Sequence, residues 1–349
     1  MKNFFIILLA VMISTSAIGV SAGEYTGGKI KAKLASEELD GDFMTVYAEE
    51  FAQEMKKWSD GKIDIAVYPY GTLGETRDIN ELCQIGVVDF VFSDYAWISS
   101  FVPQAQVLAL HYIWPREKIN ETLHWIVKNG ESMKILEAKF RDKGLVPLAI
   151  MFEGWQWITS KKPINSLADM KGLKLRLMSS KLLVENYKAY GASPTPMQYG
   201  EIYGGLQTGI IDAQMQPIFG NYSMKFFEVT DYETLIWAEP FLGIPTVNKK
   251  FFDSLPKNAQ DKMRQYWVDA TLASVKWTDE RNIGDKEKIM KEKPSTTFTV
   301  LDEEKISEFK AIAKTVYPEF VKIGGDGAQE LLDALLKDVD SAKKELGVK

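Results

Sequence analysis

Arg176 sits near the end of the alternating run Leu173-Lys174-Leu175-Arg176-Leu177, and a strand of that period puts its leucines on one face and both cations on the other. From such a strand a guanidinium can be aimed into a cleft. There its planar fork matches a carboxylate or sulfonate, and each charge-assisted hydrogen bond contributes about 1.5–3 kcal/mol once water is excluded. A solvated surface cation has the same pattern. Glu37 and Glu38 stand just before a helical pattern, where carboxylates are favoured by the helix dipole and commonly remain solvated. The two histidines, His111 and His124, are not spaced to share a helical face, and no Cys/His cluster exists, so neither a metal site nor a cofactor is expected. No glycine-rich phosphate loop follows a strand, since Gly204-Gly205 falls inside a helical pattern. No catalytic set can be assembled from these residues, and the chemistry expected is binding.

The arginine belongs to an ordered series: Lys162-Pro163-Ile164, then Asp169-Met170-Lys171-Gly172 leading into the strand, Gly191-Ala192-Ser193-Pro194-Thr195-Pro196, and Gly205-Leu206-Gln207-Thr208-Gly209-Ile210-Ile211-Asp212-Ala213-Gln214. This series resembles the DctP-type solute receptors of tripartite ATP-independent periplasmic (TRAP) transporters. Residues Gly200 to Asp212 are most similar to the ectoine-receptor branch of that family. The likeness extends to Gly61-Lys62-Ile63, Tyr68-Pro69 with Leu73-Gly74, and Phe251-Phe252-Asp253-Ser254-Leu255-Pro256. It implies a two-lobed α/β periplasmic binding protein with a hinge and a long lobe-bridging helix. It also implies a small organic solute as ligand, and the small and large membrane subunits of a TRAP permease as partners.

The resemblance assigns site positions as well. Arg176 matches the family's anion-binding arginine. Where the family often has another arginine twenty positions earlier, this chain has Gln156, which removes a positive charge and argues against a dicarboxylate. Glu38 matches the glutamate that ectoine receptors set against the cationic part of their ligand, and Trp97 and Tyr199 match aromatic wall positions. Gln216 stands where the family has a carboxylate-fixing asparagine, with Phe219 as the aromatic that follows. Glutamine keeps the donor and the acceptor but extends one methylene further. Trp157 is either a further wall or a core residue. The ligand implied is a zwitterion such as ectoine or an amino acid; a plain monocarboxylate or a sulfonate, or a sensor role towards a signalling receptor, are the alternatives.

Composition bounds the rest. The formal charge of −6 over 349 residues disfavours nucleic acid, whose phosphates demand a basic surface. Lys2, the apolar run Phe4 to Ile13 and Val20-Ser21-Ala22 read as a cleavable secretory leader over residues 1–22, with Gly23 the first mature residue; the resemblance implies the periplasm as the destination. Cys83, the single cysteine, cannot form an internal disulfide and reads as a small buried residue on a helix. The remaining length calls for two lobes and a cleft, in a protein expected to be a monomer.

The elements that must position the site follow from periodicity. A strand is expected near Lys29 to Leu34, and Phe43, Tyr47, Phe51, Met55 and Trp58 mark one face of a helix ended by Gly61. Ile63, Ile65 and Val67 alternate as a strand, Ile79 to Ile85 reads as a helix, and Val87 to Phe92 as a buried strand. Leu145 to Met151 is a further apolar strand, Ser166 with Asp169 a capping signal, and Leu182, Leu183, Tyr187 and Tyr190 a helix face. After Pro256 one helical pattern runs through Met263, Trp267, Ala270 and Trp277 towards Ile289. Strands alternating with helices predict mostly parallel sheets. The lobes are expected to interleave, residues 23–153 joining about 242–281, and 154–241 joining about 282–349.

Overall fold

The structure, a computed structural model, describes residues 24–348; the expected leader and Gly23 lie outside them. The chain begins β1 (Ile30–Ser36), α1 (Phe43–Trp58), β2 (Ile63–Tyr68), α2 (Thr76–Gln84), β3 (Phe90–Asp94) and α3 (Tyr95–Ile98). It continues through α4 (Ile119–Asn129), α5 (Glu131–Asp142), β4 (Leu145–Pro147), β5 (Met151–Trp155) and β6 (Trp157–Ser160). Next come β7 (Lys174–Leu177), α6 (Lys181–Ala189), β8 (Ser193–Pro196), α7 (Ile202–Thr208), β9 (Ala213–Gln216), α8 (Ile218–Ser223) and β10 (Tyr232–Leu235). The last third holds β11 (Pro240–Asn248), α9 (Lys249–Ser254), α10 (Lys257–Glu292), β12 (Thr297–Val300), α11 (Glu303–Gly324) and α12 (Ala328–Leu346).

Two six-stranded sheets result, one per lobe. The first runs β2-β1-β3-β11-β4 with β5 also on β11, and the second β12-β10-β6-β9-β7-β8. The expectation of mostly parallel sheets is corrected. β1 pairs with β2 and β3 in parallel, but β11 runs antiparallel to β3, β4 and β5, and β6 antiparallel to β9 and β10. The chain passes between lobes at Trp155–Trp157 and again at Leu235–Pro240, so the strand that enters each sheet after a crossing arrives reversed.

Local physics accounts for the elements that carry the site. On α1, Phe43, Tyr47, Phe51 and Met55 are buried along one face, and each such side chain contributes about 1.5–3 kcal/mol on leaving water. Before α2, the backbone N–H of Glu75 donates to Asp78 Oδ2 (2.9 Å), half of a capping box. The strand expected from Val87 begins only at Phe90, because the N–H groups of Val87 and Val88 turn back to the Leu82 carbonyl at the end of α2. The Ser166–Asp169 capping box forms as expected, although over a single 3₁₀ turn, Leu167–Met170. Cys83 is buried and free, and burial raises its thiol well above the usual range.

α10 has 36 residues, a rod of about 54 Å. It packs on α1, α4 and β5 of the first lobe and on α8 of the second, so it bridges the two. α12, expected in the second lobe, packs instead on α4 and α5, which bury its Leu331, Leu335 and Val339 stripe, while α11 packs on α6. The C-terminal helices therefore strap both lobes. Where the lobes meet, Arg281 of α10 donates to Asp42 Oδ1 (2.9 Å) and to the Gly41 carbonyl (3.0 Å), and Ser223 Oγ of α8 donates to the same Asp42 oxygen (2.8 Å). The Tyr70 and Tyr199 rings meet edge-on across the same boundary, 5.5 Å between centroids.

Candidate functional site

Between the two sheets lies a cavity lined by Glu37, Glu38, Asp94 and Trp97 from the first lobe and by Arg176 and Tyr199 from the second, with Thr76, Met178, Gln216 and Phe241 completing the wall. The space left is about 10 Å³, the room of roughly one water, so the two halves face each other closely. Glu38 reaches the cavity because the backbone before α1 is pinned. Its carbonyl accepts from Thr45 Oγ1 (2.8 Å) and from the N–H of Tyr70 (2.8 Å), and its own N–H donates to Ser36 Oγ (3.2 Å). Glu38 Oε2 accepts from the N–H of Met44 (2.6 Å). Its neighbour Glu37 turns sideways, and accepts from Ser93 Oγ (2.6 Å) and the N–H of Asp94 (3.0 Å). Asp94 caps α3 by accepting from the N–H groups of Ala96 and Trp97, which fixes the Trp97 ring at the cavity.

On β7 the alternation plays out unevenly. Lys174 at the strand's start is exposed and donates to the Gly209 carbonyl (2.7 Å), whereas Arg176, two residues on, lies over the cleft with no exposure. Nε of Arg176 donates to the Met197 carbonyl (3.0 Å), and its Nη1 is buried without any partner. A buried guanidinium with one arm anchored and another unspent is arranged for a bidentate anion. Burial draws it down to about 10, with Asp94 opposing, so it stays cationic at neutral pH.

The carboxyls around it respond to burial in the opposite sense. Desolvation lifts Glu38 to about 8, helped by the neighbouring Asp42, and lifts Asp94 to about 7 against two backbone hydrogen bonds. Glu37 is raised by burial and by Asp94. Among the described residues no three His, Cys, Asp or Glu side chains are arranged to hold a metal ion, these acids included. What the arrangement offers, once the lobes part far enough to admit more than a water, is one cation facing several acids across apolar rings, a site for opposite charges on one small molecule.

Of the positions singled out in the sequence, the cavity brings together Arg176, Glu38, Trp97, Tyr199 and Gln216. Three fall elsewhere. Phe219 is buried against Trp277 (6.0 Å between ring centroids). Gln156 is buried in the first crossing, its side-chain N and O both without partners. Trp157 is half-buried outside this cavity, edge-on to Phe298 at 5.9 Å, where it lines a separate pocket with Trp155 and Trp237. Sequence reasoning did not reach Thr76, Asp94, Met178 or Phe241. Asp94 alone had a signal, an acid placed to cap the helix before Trp97.

These buried acids make stability fall with rising pH. Each has a folded-state pKa above its unfolded value, so its contribution is complete only below the ordinary carboxyl range, under about pH 4, and is lost as pH rises through about 7 for Asp94 and about 8 for Glu38 and the similarly buried Glu233. Each group removes about 1.4 kcal/mol per pH unit inside its window. Calorimetric melting of the ligand-free protein from pH 5 to pH 8.5 should therefore show a declining midpoint. A flat or rising midpoint would mean these carboxyls are ionised in the folded state.

The sequence profile of the DctP family, described as bacterial extracellular solute-binding protein family 7, matches residues 34–323, and the chain belongs to that family, the solute receptors of TRAP transporters. It is 34% identical over 328 residues to the ectoine/5-hydroxyectoine-binding periplasmic protein UehA of Ruegeria pomeroyi, covering 93% of this chain and 96% of that one. It is 32% identical to the ectoine-binding periplasmic protein TeaA of Halomonas elongata, over 97% of this chain and 98% of TeaA. The solved structure of TeaA superposes with a TM-score of 0.83 over 89% of this chain and all of that one, at 32% identity. A TRAP solute-binding protein from Desulfovibrio salexigens with bound orotic acid shares the fold, with a TM-score of 0.84 at 24% identity over 90% of this chain and all of that one. Receptors of this class bind small solutes and work with membrane subunits.

Proposed function

We propose that this chain is the periplasmic receptor for ectoine or a closely similar zwitterion, exported by its leader, and that it delivers the solute as a monomer to the small and large subunits of a TRAP permease without chemically changing it. One observation carries the ligand assignment: Arg176 and Glu38, from different lobes, are buried on opposite sides of one aromatic-walled cavity. In this reading the unspent arm of Arg176 takes the ligand's carboxylate and Glu38 its cationic group. Trp97 and Tyr199 enclose the ring between them, and Gln216 supplies an amide from the end of β9. The two relatives named for ectoine add support through their identity along nearly the whole chain. A plain monocarboxylate or sulfonate is the second reading, favoured by the raised Glu38 carboxyl, which can stay neutral beside a lone anion. Isolating the copurifying solute by denaturation and identifying it by mass spectrometry tests the assignment, and a molecule without a cationic group would overturn it.

Every group assigned to the ligand is buried, so a solute enters and leaves only when the lobes part. Small-angle scattering should accordingly show a larger radius of gyration without ligand than with saturating ectoine. Equal radii would remove the hinge from the mechanism.

A further inference from the structure

Behind Glu38, on β5, lies a second acid that the ligand scheme above does not use. Glu153 has no exposure, and no N–H or O–H of a neighbouring backbone or non-acidic side chain reaches either of its oxygens. An isolated carboxylate so placed would carry a heavy desolvation penalty. Its surroundings are nonetheless shaped to hold it. Gly243 on the paired strand β11 leaves the space, since a Cβ there would come within 3 Å of Glu153 Oε1, Phe92 and Met44 alike. The Glu153 carboxyl faces that of Glu38, and two carboxyls buried side by side share such a place at low cost only when one carries a proton.

The charges around the pair point the same way. Glu38 faces Asp42 at the start of α1 and Arg281 on α10, whose guanidinium is engaged by Asp42 (2.9 Å) and Asp285 (2.5 Å). Glu153 faces Glu37 and Asp94 from the ends of β1 and β3. The buried cation of the cavity, Arg176, acts on Asp94 and on the phenols of Tyr70 and Tyr199. Among the described residues no lysine, arginine or histidine forms an ion pair with Glu153.

We propose that Glu153 is a neutral, proton-bearing positioning residue: its O–H donates to Glu38 and holds that carboxylate towards the ligand's cationic group, and Glu38 releases its own proton to solvent as the cation arrives. Capture of a zwitterion is then an exchange, one cation in and one proton out, with Glu153 unchanged throughout. The receptor's affinity for such a solute rises with pH until Glu38 is ionised without help. This inference rests on the zwitterion reading for its ligand-coupled half; the protonation of Glu153 stands independently.

Two measurements test the halves separately. Infrared difference spectra of the ligand-free protein at pH 7, wild type against Glu153→Gln, should show a protonated-carboxyl band that is missing from the variant. Absence of that band overturns the proposal whatever the ligand proves to be. Titration calorimetry with ectoine, in buffers of different ionisation enthalpy, should find close to one proton released per ectoine at pH 6–7 and progressively fewer above about pH 8. Glu153→Leu should weaken ectoine about ten- to a hundredfold and shift the rise of affinity to higher pH, and Glu153→Gln should recover most of that loss because an amide N–H also donates. If the glutamine variant binds as weakly as the leucine variant, Glu153 acts as a carboxylate and the proposal fails. If the infrared band is present and ectoine does not bind at any pH, the ligand assignment fails while the protonated Glu153 is upheld.

Discussion

Arg176→Ala weakens solute binding by about 2–4 kcal/mol, the cost of leaving a carboxylate unpaired in a site that excludes water. The size follows from burial. The guanidinium has no exposure, so its charge acts on the ligand with little screening, and the one arm it spends on Met197 already orients the fork. Arg176→Lys recovers little, because an ammonium cannot keep the Met197 contact and present two parallel donors to an anion at once. Titration calorimetry of both variants with ectoine is the check, and a loss below about tenfold, or 1.4 kcal/mol, would take Arg176 out of the anion role. Folding need not suffer by a similar amount. A buried cation with an unpartnered Nη1 carries a desolvation cost in the ligand-free protein, so its loss offsets part of any packing penalty.

For Glu38→Gln the sign matters more than the size. A zwitterion loses about 1.5–3 kcal/mol, because the amide keeps the Met44 contact but cannot pair with a positive group. A simple anion binds unchanged or more tightly, since the substitution removes the means of acquiring a negative charge beside it. Trp97→Leu runs in parallel: leucine preserves an apolar wall without the ring quadrupole, and the extra cost to a cationic ligand is up to about 2 kcal/mol. Tighter binding by Glu38→Gln would replace the ectoine reading with that of an anion receptor.

How much of this was legible from sequence depended on whether the determinant was local. The apolar stripe of α1, the alternation of β2 and the long pattern behind α10 are periodic, and periodicity survives in one dimension. Strand direction does not, which is why the sheets turned out mixed: nothing in Pro240–Asn248 records that its partners run the other way. That strand, central to the first sheet, was itself hidden by Pro240 and Pro245, residues that ordinarily mark an edge. The site divided similarly. Arg176 announced itself through alternation, but Trp97 at the cavity and Trp157 outside it look alike as isolated tryptophans, and only the crossing of the chain separates them. Glu153 had no pattern at all; its meaning lies in what fails to surround it.

The late arrival of β11 sets the order in which this protein can become itself. β1, β2 and β3 are complete by Asp94, yet the strand that joins them to β4 and β5 comes about 150 residues later, after most of the second lobe. Until then β3 presents an open edge of consecutive buried-type residues, Phe90 to Phe92, and the first lobe has no finished core. A chain emerging from its N-terminus therefore holds the first sheet in two separate pieces, β1 to β3 and β4 with β5, until β11 is made. A truncation before Pro240 should leave a first lobe that does not fold by itself, because the strand that joins its two pieces is missing.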